Sequence, residues 1–161
     1  MEAIKAREDG PATYTNQGTV KVFSKTIEVK TTERTDLINL TDEIRSFVEA
    51  TEIADGHIQV SVLHTTAGIF VNEWQDALVT DMKAIIEKVV PQDVYYKHND
   101  LEFSDCDKNN AHSHLRNVVL GHCLTLPISQ GQIVLGRWQT IIFSEFDGPN
   151  QRKVFLQVFG I

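Results

Sequence analysis

From Leu124 onward the chain is written as short apolar runs separated by turn residues. Runs 124–128 and 133–135 flank Ser129-Gln130-Gly131, and Gly131 can take the positive φ that a tight hairpin turn needs. Runs 138–146 and 153–159 are joined by Asp147-Gly148-Pro149-Asn150, a dense turn cluster. Segments this short bury an apolar face by pairing with one another, so this part of the chain reads as antiparallel sheet.

Upstream, the period changes twice. Val20, Val22, Ile27 and Val29 alternate with polar residues and read as a strand with a kink near Ser24. Ile44, Phe47 and Val48 give a helical stripe that Thr41 or Asp42 can cap, ending before Gly56. Residues 57–62 alternate His, Gln and Ser with Ile, Val and Val, a half-buried strand that Thr65-Thr66-Ala67-Gly68 interrupts before Ile69, Phe70 and Val71 resume it. Leu78, Met82, Ile85, Ile86 and Val89 repeat at helical spacing until Pro91 ends the helix, and Asp76 reads as its N-cap. A long polar loop spans 98–110, and a short helix over 111–120 closes at Gly121. The expected architecture is α+β: a mainly antiparallel, β-sandwich-like sheet system with two or three helices. Residues 1–18 read as a flexible extension and 19–161 as a single domain.

Charge and cysteine usage remove several function classes. The chain has 161 residues and a formal net charge of -7, the wrong balance for a general binder of nucleic acid or anionic membrane. No window approaches the ~20 apolar residues of a membrane span, and the N-terminus lacks a signal-peptide core, so a cytoplasmic location is expected. Cys106 and Cys123 fit reduced thiols, and Cys106 lies between Asp105 and Asp107, which disfavours a thiolate nucleophile.

Among six histidines, His64 sits where a strand breaks and His98 opens the polar loop that precedes His112 and His114. Three neutral imidazoles can bind a divalent ion and leave a position open for catalysis. The same histidines also fit surface or hydrogen-bonded roles, which is the preferred reading of His57 and His122. Glu73 suits either orienting an imidazole or helix-start chemistry. Thr65 and Thr66 suit either an anion-binding turn or a bulge. Arg152 suits either an anion clamp or a partner for an acid such as Glu145.

Three blocks together resemble the YjbQ family, often labelled secondary thiamine-phosphate synthase. They are His64-Thr65-Thr66-Ala67-Gly68-Ile69-Phe70-Val71-Asn72-Glu73; His98 with Ser113-His114-Leu115-Arg116 and Leu120-Gly121; and Leu126-Pro127-Ile128 with Leu135-Gly136-Arg137-Trp138-Gln139 and Arg152. Arg137 departs from the family's usual threonine. The resemblance implies a compact β-rich domain, a homotrimer, and a pocket in which His64, His98 and His114 hold a divalent metal, with zinc the expected ion. It implies catalytic roles for His64, Glu73 and His114. Thr65, Thr66, Asn72, Trp138, Gln139 and Arg152 are the implied contacts to a small phosphorylated substrate. The implied reaction is thiamine-phosphate synthesis, a transferase step joining a pyrimidine diphosphate and a thiazole phosphate. Two other readings stay open: a non-enzymatic trimeric metal- or ligand-binding protein, and a metal-assisted phosphohydrolase.

Overall fold

The computed structural model describes residues 17–161. The expected extension over 1–18 therefore lies almost entirely outside the described residues. Two antiparallel sheets carry the fold. Five strands order as β1 (Lys21–Lys30), β8 (Gln151–Gly160), β3 (Gly56–Val62), β5 (Cys123–Ser129) and β6 (Gln132–Ile133). Three order as β2 (Asp36–Asn39), β7 (Thr140–Glu145) and β4 (Ala67–Asn72). The helices are α1 (Thr41–Ala50), α2 (Asp76–Val89) and α3 (Ala111–Leu120), with a 3-10 turn at Lys97–Asn99.

Alternation along the strands builds the core between the sheets. Ile58, Val60, Val154, Leu156 and Val158 of the larger sheet meet Ile69, Ile141 and Phe143 of the smaller one, with Ile44 and Val48 of α1 closing the side. The other face of the smaller sheet presents Ile142 and Leu37 to Met82 of α2. Period two thus gives β7 two buried faces: Ile141 and Phe143 point into the sandwich, and Ile142 points to the helix.

Several local expectations are corrected. β1 pairs with β8 without interruption from Lys21↔Gly160 to Lys30↔Gln151, so Ser24 marks no kink. The shift in apolar parity has another cause: Ile27 and Val29 face the core, whereas Val20 and Val22 lie 65% and 61% exposed. Neither Thr41 nor Asp42 caps α1. Asn39 Oδ1 accepts the Thr41 N–H at 2.9 Å, and Thr41 Oγ1 accepts the Ile141 N–H at 2.9 Å instead. The N-cap of α2 is Gln75, whose side chain accepts the Leu78 N–H, and Asp76 is the first helical residue. Strand β2 and the turn at Lys97–Asn99 carry no sequence signal strong enough to predict. The β5–β6 turn is as expected, with Gln130 at φ 52° and Gly131 at φ 78°.

Candidate functional site

The β4–β7 ladder sets the site's position. Ala67 pairs with Glu145, so the residues just before β4 and just after β7 share one end of the smaller sheet. Arg152, at the start of β8, reaches the same point. Its Nε and one terminal nitrogen donate to the two carboxylate oxygens of Glu145 at 2.5 and 2.6 Å, and the latter also donates to Thr66 Oγ1 at 3.0 Å. Glu145 is fully buried and Arg152 only 9% exposed. The carboxylate also accepts the N–H groups of Phe146 and Asp147 at 3.0 and 2.9 Å. Arg152 is therefore the counter-ion of a buried acid that pins the following turn, the second of the two roles the sequence allowed it.

That turn carries Asp147, and α3 is laced onto it. Ser113 Oγ donates to the Phe146 carbonyl at 2.5 Å, and Asn110 Nδ2 donates to Asp147 Oδ2 at 2.7 Å. The Ala111 N–H donates to Asn99 Oδ1 at 2.9 Å, which ties the 3-10 turn to the start of α3. This pair of asparagines brings His98 against His114: the rings meet edge to face, 5.1 Å between centroids and 83° apart. They line a cavity of about 400 Å³ together with Tyr96, Lys97, Ala111 and Leu115. Burial and then the neighbouring His98 hold the His114 pKa below 6.5, with Asp147 opposing. The ring is therefore neutral at neutral pH, ready to accept a proton.

His64 belongs to the Arg152 cluster. Its Nε2 accepts the Lys153 N–H at 2.8 Å, which leaves the proton of the neutral ring on Nδ1. Burial and then Arg152 lower its pKa, Glu145 opposes, and Lys153 lowers it further. Thr66 is buried in that cluster and Thr65 is exposed. The remaining expected residues lie at the opposite end of the ladder, where Asn72 pairs with Thr140. Asn72 lies five residue steps along the strand from Ala67, or ~17 Å. There Asn72 Oδ1 accepts the Glu73 N–H at 2.8 Å, and Gln139 Oε1 accepts the Gly136 N–H at 2.7 Å. The Arg137 guanidinium lies over the Trp138 ring, 4.7 Å from its centroid. Within one chain, Asn72, Glu73, Trp138 and Gln139 thus form a separate patch from the histidine pocket.

Sequence reasoning passed over three residues. Asn110 and Asp147 read as loop and turn chemistry. His112 carries no assigned role in the sequence, yet it is fully buried and neither ring nitrogen has a hydrogen-bond partner. The available signal was the His112–Arg116 spacing, which places both on one face of a helix.

The description "UPF0047 protein YjbQ-like" matches residues 25–161. The chain belongs to the YjbQ/UPF0047 family. A UPF0047 protein from Methanothermobacter thermautotrophicus is 36% identical over 141 residues, covering 88% of this chain and 94% of the relative. The UPF0047 protein YugU of Bacillus subtilis is 34% identical over 137 residues, covering 84% and 98%. A crystal structure from Sulfolobus solfataricus, described as a YbjQ-like protein of unknown function, superposes with a TM-score of 0.83 at 31% identity, covering 89% of this chain and all of that one. The YjbQ likeness read from the three sequence blocks is thus correct, but the activity attached to it is not supported. These relatives are described by family alone or as of unknown function, with no thiamine-phosphate synthase among them. Nor does the geometry supply the metal centre that the reaction was built on. Among the described residues no group of three or more His, Cys, Asp or Glu side chains is placed to hold a metal ion. His98 and His114 meet, whereas His64 is engaged with the β8 backbone. The metal-centred synthase reading on His64, His98 and His114 is overturned, and the zinc and transferase expectations lose their basis with it. No helix among the described residues is long and apolar enough to cross a membrane.

Proposed function

We propose that the protein binds a small phosphorylated anion in the His98–His114 pocket and exchanges a proton with it. The observation that carries this reading is the edge-to-face imidazole pair in a cavity of about 400 Å³ that Lys97 also lines. Two imidazoles in contact do not both charge readily, because each proton raises the cost of the other. A phosphate oxygen beside them removes that cost and favours the second proton. Binding therefore takes up a proton, and affinity rises as pH falls toward the ordinary histidine value. The neutral His114 ring, its pKa held down by burial and then by His98, can accept a proton from a ligand atom beside it.

The test is a titration of the histidine ring signals by NMR, with inorganic phosphate and small phosphomonoesters as probes. The expected result is a saturable shift of His98 and His114, tighter at lower pH, while His57 and His122 stay still. His98→Ala and His114→Ala should each weaken binding at least tenfold, about 1.4 kcal/mol. Uniform weak shifts of all six histidines, or none at all, would refute the reading.

A further inference from the structure

Strand β1 lies at one end of the larger sheet and runs for ten residues, and among the described residues its sole strand partner is β8. The direction of its backbone groups follows from the bonds at the strand ends. The Thr31 N–H donates to the Asn150 carbonyl at 2.9 Å, and on the other side of β8 the Leu63 N–H donates to the Lys153 carbonyl at 3.0 Å. Residues of an antiparallel strand turn alternately to one neighbour and then the other, so Lys21, Phe23, Lys25, Ile27 and Val29 bond to β8. Val22, Ser24, Thr26, Glu28 and Lys30 therefore aim their N–H and C=O groups away from the sheet, and no described residue takes them. A groove of about 500 Å³ runs along this edge. Residues 25–30 form one wall, and Ile38, Leu40 and Glu43 form the other. Ile27, Val29 and Leu40 are buried, so the floor of the groove is aliphatic.

We infer that β1 takes an acidic, extended peptide segment of a partner protein as a sixth strand of this sheet. Charge selects the partner. The strand reads KVFSKTIEVK, three lysines against one glutamate, in a chain whose net charge is -7. Lys25 is paired with Glu43 at 2.9 Å, whereas Lys21 and Lys30 have no ion-pair partner among the described residues. The one acid of the strand, Glu28, accepts from Gln151 Nε2 at 2.6 Å. Lysines on an open edge guard it against pairing with another edge of the same kind. A second copy's β1 would set its own three lysines beside these three, while an acidic strand meets attraction at the same positions. Main-chain bonds to the outward groups supply affinity, as in strand addition generally. Alternate side chains of the added strand enter the groove over its aliphatic floor, which favours small β-branched residues there. Those between them stand on the outer face beside Lys30, where carboxylates fit. The groove shares no lining residue with the His98–His114 cavity, so this inference does not rest on the function proposed for that cavity.

Amide hydrogen exchange on the full chain, followed by NMR, tests this with two synthetic peptides as long as β1. One alternates glutamate with valine and the other lysine with valine. In the chain alone, the amides of Ser24, Thr26 and Glu28 should exchange fast and those of Lys25 and Ile27 slowly. The glutamate peptide should slow the first three by ~tenfold or more, saturably, and the lysine peptide should not. Thr26→Pro removes an outward N–H and no bond to β8, a position where an edge strand tolerates proline, so it should cancel the protection with unchanged circular dichroism. The double variant Lys21→Glu/Lys30→Glu leaves every backbone group in place and should weaken binding of the glutamate peptide by ~tenfold or more. If Thr26→Pro does not fold, the double variant decides. Outward amides that are already slow in the chain alone overturn the inference, because a second copy or another part of this chain then covers the edge. So does a glutamate peptide that protects none of them, equal protection by both peptides, or protection that survives the double charge reversal.

Discussion

Removing Arg152 should cost more stability than any surface change. Arg152→Met keeps the volume of the stem but leaves the Glu145 carboxylate, fully buried, without its cation. Three hydrogen bonds go with it, two to Glu145 and one to Thr66. Breaking one side of a buried pair costs ~3–5 kcal/mol, chiefly because the surviving charge stays desolvated. Against the ~5–15 kcal/mol that holds a typical domain together, that is a third or more of the total. The melting temperature should fall by about 10 °C, at the ~2–4 °C per kcal/mol usual for this size. Glu145→Gln should cost a similar amount from the other side, and its loss should also loosen the turn whose two N–H groups the carboxylate holds. The double variant is the decisive measurement. With no unpaired charge left, it should be more stable than either single variant, a coupling of more than ~2 kcal/mol. Urea unfolding followed by circular dichroism gives all four free energies. Single-variant losses under ~1 kcal/mol, or losses that simply add, would refute the claim that this pair pins the site.

Three further outcomes follow from the same geometry. His64, His112 and His114 all titrate below 6.5 in the folded chain, burial being the first cause at each. The unfolded chain then binds more protons between the folded values and 6.5, so stability is full above about pH 6.5 and falls as pH drops through that window; a urea midpoint that is flat or rising on acidification contradicts this. His112→Leu removes a buried imidazole with no hydrogen-bond partner, so it should be neutral or stabilising by up to ~1 kcal/mol and should flatten part of that pH slope; a loss above ~2 kcal/mol would show that the ring makes a bond. Gly68→Ala would place a Cβ 2.6 Å from the Gly121 carbonyl oxygen, a backbone atom that cannot step aside. It should cost ~1–3 kcal/mol by thermal unfolding, and a neutral effect would mean that α3 can slide along β4.

The sheets were legible because alternation is a local signal with a global meaning. Ile58, Val60 and Val62 must share a face wherever β3 lies, and the β5–β6 turn is written in Gly131. β2 was not legible, because four residues paired only to β7 leave too short a pattern. The pattern around Ser24 misleads for a related reason: a parity shift looks like a break when it marks a strand whose first residues are solvent-facing. At the site, the imidazole types were legible and their grouping was not. His98 and His114 lie 16 positions apart, and two asparagine side chains, Asn99 and Asn110, bring them together through the start of α3 and the Asp147 turn. No spacing rule predicts contacts of that kind.

Helix α3 shows why a correct element can still hide its role. Periodicity places Leu115, Val118 and Val119 on one stripe and His112 and Arg116 on the other, and the ordinary inference sends the apolar stripe inward. The structure sends the polar stripe inward. Burying an arginine is tolerable only where its donors are all taken, and here Val90, Thr35 and Glu87 take them. Ser113 and Asn117 add bonds to the backbone of Phe146 and Ala67. These partners come from β4, the end of β7, α2 and the loop before β2, so α3 acts as a polar clamp across four parts of the fold. The same clamp fixes His114 at the pocket and turns the valines out to the surface. One orientation of one helix therefore sets both the His98–His114 cavity and the exposed aliphatic face, and a change that rotates α3 should disturb both together.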